Sequence, residues 1–116
     1  MLQITLLFAI LIMVLLLIIL FEGVVMQLLR WGTFRQSIKA AAVMNLASVL
    51  VWLLMIGLVG QLGIIALLMG LLLSILIESA VLIRLEPGQT RYNIFVVIVA
   101  NLVSYLVLLL PAFMFA

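Results

Sequence analysis

Cysteine, histidine and aspartate are all missing from this chain of 116 residues. Without cysteine there is no disulfide and no thiolate chemistry. Without histidine there is no imidazole base and no His-ligated haem or metal. Side-chain carboxylates are confined to Glu22, Glu78 and Glu86. Charged residues make up only 7% of the chain, and no hydrophilic stretch is long enough to fold as a water-soluble catalytic domain. Ser48 and Ser104 lack a base to activate them, because Lys39 belongs at a helix end. Two Glu and an Asn would suit a metal in ligand softness but make a ligand-poor set, so no metal site is expected. These absences point to a non-enzymatic protein with no cofactor and no bound metal.

What fills the chain instead is apolar: 72% of residues are hydrophobic and the mean hydropathy is +1.72. A soluble domain this short cannot hide so much apolar surface, so the solvent is expected to be lipid. A membrane-spanning helix takes roughly 20 apolar residues, and four such runs fit. The runs are continuous rather than alternating, which excludes a transmembrane barrel. The first run, beginning MLQITLLF, has no basic leader and no small-residue cleavage site after Phe21. It reads as a retained helix rather than a signal peptide.

The helices are expected at about 2–29, 37–59, 62–84 and 92–115. The first turn, RWGTFR, holds Arg30 and Arg35, with Lys39 just inside the second helix. Trp31 suits an interfacial belt, and Gly32 is expected to supply a positive φ. The second turn, Gly60 to Gly63, is uncharged and so short that its helices must be antiparallel neighbours. The third, RLEPGQTR, holds Arg84 and Arg91 around a Pro87-Gly88 turn in which Gly88 is expected to accept positive φ. Pro111 should kink or end the last helix. All five basic residues flank the first and third turns. By the positive-inside rule those turns face the cytoplasm and both termini face the other side. A prokaryotic inner membrane, or an internal membrane derived from it, is the expected location. The net charge of +2 reads as orientation in the membrane, not as nucleic-acid binding.

The chain also repeats itself. Glu22, Arg35, Asn45 and Ser48 map onto Glu78, Arg91, Asn101 and Ser104 at a constant offset of 56 residues, and Gly32 maps onto Gly88. Between 22–54 and 78–110, 14 of 33 positions are identical. Apolar matches come cheaply here, but polar ones do not. The fold expected is therefore an all-α, integral-membrane bundle of four transmembrane helices. It comprises two tandem, parallel-oriented hairpins, residues 1–60 and 61–116, in a single domain. A parallel repeat differs from the inverted repeats of many secondary transporters.

Within each hairpin the midpoint between Glu and Asn falls inside the turn. The pair should thus sit at one depth on adjacent helices, roughly 12 Å from the turn at ~1.5 Å per residue. Ser48 and Ser104 follow one turn deeper. Two states are open for the carboxyls: neutral and hydrogen-bonded to Asn, or ionised with help from Arg35 and Arg91 through water. Ala66, Gly70 and Ser74 form a small-residue stripe leading to Glu78. It suits internal helix packing better than a homodimer face. Trp52 and Tyr105 could close the polar region on its far side, although ordinary packing or lipid contact suits them better.

The Glu-xx-Val…Asn-xx-Ser spacing resembles segments of small bacterial membrane proteins, cyanobacterial septal filament-integrity proteins among them, over at most one hairpin. Small multidrug transporters also carry a Glu in the first of four helices, but not a parallel repeat with Glu in helices one and three.

Polar pairs between membrane helices often act as structural glue, at ~0.6–2 kcal/mol each. The first functional expectation is therefore a structural or accessory subunit, assembling in lipid with copies of itself or with a larger complex. The alternative is a small transporter or channel in which Glu22 and Glu78 bind protons or cations, since ionisable groups inside membranes tend to mark ion paths. The basic residues with Trp31 and Tyr92 could also meet lipid headgroups.

Overall fold

The computed structural model describes residues 1–115, apart from the side chains at positions 52, 56, 59, 109, 112 and 113. Helix α1 spans Leu2–Leu28, α2 Phe34–Leu62, α3 Ile64–Leu85 and α4 Thr90–Ser104. The last continues through a π-helical turn, Tyr105–Leu109, into α5, Leu110–Met114. In lipid every backbone amide must be paired within its own segment, and long Leu, Ile, Val and Ala runs, free of proline as far as Pro111 in the last helix, allow that. Four helical segments are long and apolar enough to cross a membrane. At ~1.5 Å per residue, α1 and α2 exceed a ~30 Å hydrocarbon core, so they tilt or project into the headgroup layer.

The α1–α2 turn corrects one expectation. Arg30, not Gly32, takes the positive φ, at 59°. Its N–H donates to the Gln27 carbonyl and the Trp31 N–H donates to the Met26 carbonyl, a Schellman ending. Thr33 then opens α2 with a capping box. The Thr33 N–H donates to Gln36 Oε1 at 3.0 Å, and the Gln36 N–H donates to Thr33 Oγ1 at 3.2 Å. A Cβ on Gly32 would lie 2.9 Å from Gln36 Oε1. The glycine therefore makes room for the cap rather than for a backbone reversal.

The second turn is shorter than expected. Helix α2 runs through Gly60 to Leu62, and Gly63 alone breaks the chain, at φ 57° and ψ −128°. A glycine inside a helix costs only ~1 kcal/mol, less than exposing unpaired backbone to lipid. The third turn needs no positive φ at Gly88. Glu86, at φ −136° and ψ 76°, breaks the chain direction, and Pro87–Gln89 form a 3₁₀ turn with Pro at its first position. Pro111 neither ends nor sharply stops its helix. The wide turn before it absorbs the missing amide and the clash with the Val107 carbonyl, and the helix resumes, with Phe115 N–H on the Pro111 carbonyl at 3.0 Å.

The helices close a ring in which α1 touches α2, α2 touches α3, α3 touches α4 and α4 touches α1. The core lies toward the basic turns. There Met26, Ala40, Ala41, Met44, Leu82, Val96 and Val97 are buried together, with Ile19, Ile75, Trp31 and Tyr92 packed around them. Toward the opposite end α1 is different. Its apolar residues from Leu2 to Leu17 are mostly exposed.

Candidate functional site

Near the middle of the ring the core stops being apolar. Glu22 on α1 and Asn45 on α2 are buried and meet directly, Asn45 Nδ2 donating to Glu22 Oε2 at 2.6 Å. The matched depth of these two residues brings them together across the hairpin. Asn45 Nδ2 also donates to the Ala41 carbonyl one turn back, at 2.8 Å. That second bond fixes the amide, because flipping it would set Oδ1 against two acceptors. The second repeat does the same. Asn101 Nδ2 donates to Glu78 Oε2 and, at 2.9 Å, to the Val97 carbonyl.

The serines then cross between the repeats. Ser48 Oγ on α2 reaches Glu78 Oε1 on α3 at 3.2 Å, and Ser104 Oγ reaches Glu22 Oε1 on α1 at 3.1 Å. Each hydroxyl also faces the carbonyl of the Asn in its own helix, at 3.2 Å for Asn45 and 3.1 Å for Asn101. Three residues along a helix is a rotation of 300°, so Asn45 faces α1 while Ser48 faces α3. Six polar side chains, each 2% exposed or less, thus form one network in which every hydrogen bond has a counterpart with the two repeats exchanged.

The basic residues stay out of it. Arg30, Arg35, Lys39, Arg84 and Arg91 are not buried: all lie on the outside of the bundle, and the carboxyl oxygens of Glu22 and Glu78 meet Asn and Ser instead. Neither Arg35 nor Arg91 touches the carboxyls directly. Glu86 is exposed beside the third turn. Ala66, Gly70 and Ser74 are buried on the inner face of α3, along the stripe that ends at Glu78. The bare face of Gly70 accommodates the Tyr105 hydroxyl and Met55, which would lie 3.2 Å and 3.1 Å from an added Cβ. The Ser74 hydroxyl is buried one turn from Glu78 with no hydrogen-bond partner among the described residues. The Trp52 side chain lies outside the described residues.

Asn93 is a polar residue that the repeat pattern does not single out. It is fully buried, donates to the Glu86 carbonyl at 2.7 Å and the Leu82 carbonyl at 3.4 Å, and accepts Trp31 Nε1 at 2.9 Å. Trp31, in the α1–α2 turn, is thereby tied to the third turn and α4. The signal that could have found Asn93 is the i, i+4, i+8 face running Asn93, Val97, Asn101. Elsewhere, Gln36, Lys39, Ala40, Val43, Leu85 and Glu86 line an open groove of about 230 Å³. It touches none of the six network residues.

No family model, curated protein or solved structure matches the chain. The resemblance of one hairpin to septal filament-integrity proteins therefore gains no support, and the functional reading rests on the network alone. Among the described residues no group of three acidic, Cys or His side chains could hold a metal ion.

Proposed function

We propose that this protein is a small membrane transporter or channel in which Glu22 and Glu78 bind protons or cations. One observation carries the reading. Two carboxyls, each 1% exposed, lie in the interior of a lipid-embedded bundle with only neutral side chains from both repeats on their oxygens. Glue alone does not need them. Glutamine would hydrogen-bond in the same place without the expense of an ionisable group at depth, which is ~2.5–3.5 kcal/mol for charged residues on insertion scales. Yet both copies keep Glu, although 19 of the 33 aligned positions differ.

In this reading the chain is multi-pass, not an enzyme, and works as two parallel hairpins related by a pseudo-twofold axis along the membrane normal. The basic turns face the cytoplasm, the termini face outward, and the host is a prokaryotic inner membrane or one derived from it. A second reading, a subunit that assembles with its own copies or with other membrane proteins, is favoured by one feature. The exposed apolar length of α1 from Leu2 to Leu17 has little of its own chain packed on it.

Flux in proteoliposomes discriminates between the two. Imposed proton and monovalent-cation gradients should dissipate faster with the wild-type protein than with the E22Q/E78Q pair, whose fold is checked by gel filtration and helical circular dichroism. Equal dissipation by the folded double variant would remove the transport reading and leave the assembly one.

A further inference from the structure

We propose that the ion held by Glu22 and Glu78 is the proton and not a metal cation, and that each proton is registered by a serine of the opposite repeat. This rests on the reading of the two carboxyls as the ion-binding pair, and it concerns what they bind.

A hard metal cation needs several oxygen lone pairs converging on one point. The network offers donors there instead. Each carboxyl has one oxygen facing an amide N–H and the other facing a hydroxyl. The Asn carbonyl oxygens cannot turn inward, because Nδ2 of Asn45 sits between Glu22 and the Ala41 carbonyl, and Nδ2 of Asn101 between Glu78 and the Val97 carbonyl. A metal ion would have to break four such bonds. A proton breaks none.

The serines make that possible. A hydroxyl has one hydrogen, yet Ser104 Oγ lies 3.1 Å from both the Asn101 carbonyl and Glu22 Oε1. Ser48 Oγ stands likewise at 3.2 Å from the Asn45 carbonyl and Glu78 Oε1. With Glu22 ionised, Ser104 donates to the carboxylate. When Glu22 takes up a proton on Oε1, that O–H donates to Ser104 Oγ and the hydroxyl hydrogen swings to the Asn101 carbonyl. Only one hydrogen is gained, and every donor remains paired in both states. Glu78 and Ser48 do the same. Each proton therefore reorients a hydroxyl on a helix of the other repeat.

The titratable groups facing the pair from the packed helices are Glu22 on α1, Glu78 on α3 and Tyr105, which follows α4 and lies within electrostatic reach of both. Helix α2 contributes none, since Arg35 and Lys39 lie on its outer side.

Infrared titration of the purified full chain tests this, using the carboxylic-acid carbonyl band of wild type minus E22Q/E78Q to isolate the pair. The band should appear and vanish with pH, and its midpoint should stay fixed when choline is replaced by Na⁺, K⁺ or Li⁺ at constant ionic strength. In an E78Q background S104A should displace the midpoint of the remaining Glu22 band. In an E22Q background S104A should leave the Glu78 band in place, and S48A should move it. A metal-dependent midpoint overturns the proton assignment while leaving ion binding intact. A band that ignores pH, or a serine that acts on its own repeat's Glu, overturns the switch. A pH-dependent, metal-independent band in a protein without flux supports this inference and counts against transport.

Discussion

In the first hairpin Glu22 meets Asn45 beside Met26, Ala40, Ala41 and Met44; in the second, Glu78 meets Asn101 beside Leu82, Val96, Val97 and Ala100. Every one of those apolar positions is matched at the 56-residue offset, and every one holds a different residue. Bulk removed at one place returns at another. Ala40 and Ala41 stand opposite the larger Val96 and Val97, while Met44 stands opposite the smaller Ala100. The turns differ as well. One is closed by Arg30 at positive φ and a Thr33–Gln36 capping box, the other by Pro87 and Asn93. Packing and turn chemistry have been rebuilt separately in each copy, around polar bonds that are the same in both. Close packing tolerates volume-conserving apolar exchange, whereas a buried polar network works only when all its members are satisfied.

Three variants bear on that comparison. The largest stability effect is expected from N45A and N101A, made singly. Each leaves a buried carboxyl oxygen without its donor, a loss of ~1–3 kcal/mol. The two losses should be alike, measured by unfolding in mild detergent with added denaturant. If one Asn matters and the other does not, the repeats are equivalent in geometry only. A smaller effect, ~0.5–1.5 kcal/mol, is expected for W31F, which removes the indole N–H from Asn93 Oδ1. Trp31 has no counterpart, since Pro87 occupies the equivalent place. W31F should therefore lower thermal stability without altering the Glu22 or Glu78 infrared bands. A change in those bands would mean that the turn and the network are one unit.

Much of this arrangement is legible in the amino-acid sequence. Continuous apolar runs specify helices in lipid, and the turn midpoints place Glu and Asn at equal depth because both helices rise equally per residue. The partner of each serine is not legible there. It depends on which helices close the ring and on how far each is rotated, and neither leaves a trace in spacing alone. The Trp31–Asn93 bond joins residues 62 apart that lie within the repeats but have no identical counterpart, Pro87 and Ser37 standing at the matched positions. Gly32 and Gly88 mislead because glycine permits a positive φ without requiring one. Gly60 misleads because, in lipid, a helix carries through glycine at little cost.

The two repeats are interlocked, each serine serving the other repeat's glutamate, and a double-mutant cycle tests this most directly. Combining S104A with E22L, which leaves no side-chain acceptor, should give a coupling of ~0.5–1.5 kcal/mol in unfolding free energy, as for a direct hydrogen-bonded pair. Combining S104A with E78L should be additive within ~0.5 kcal/mol, and S48A should show the opposite pattern. Coupling of Ser104 to Glu78 rather than to Glu22 would contradict the interlock.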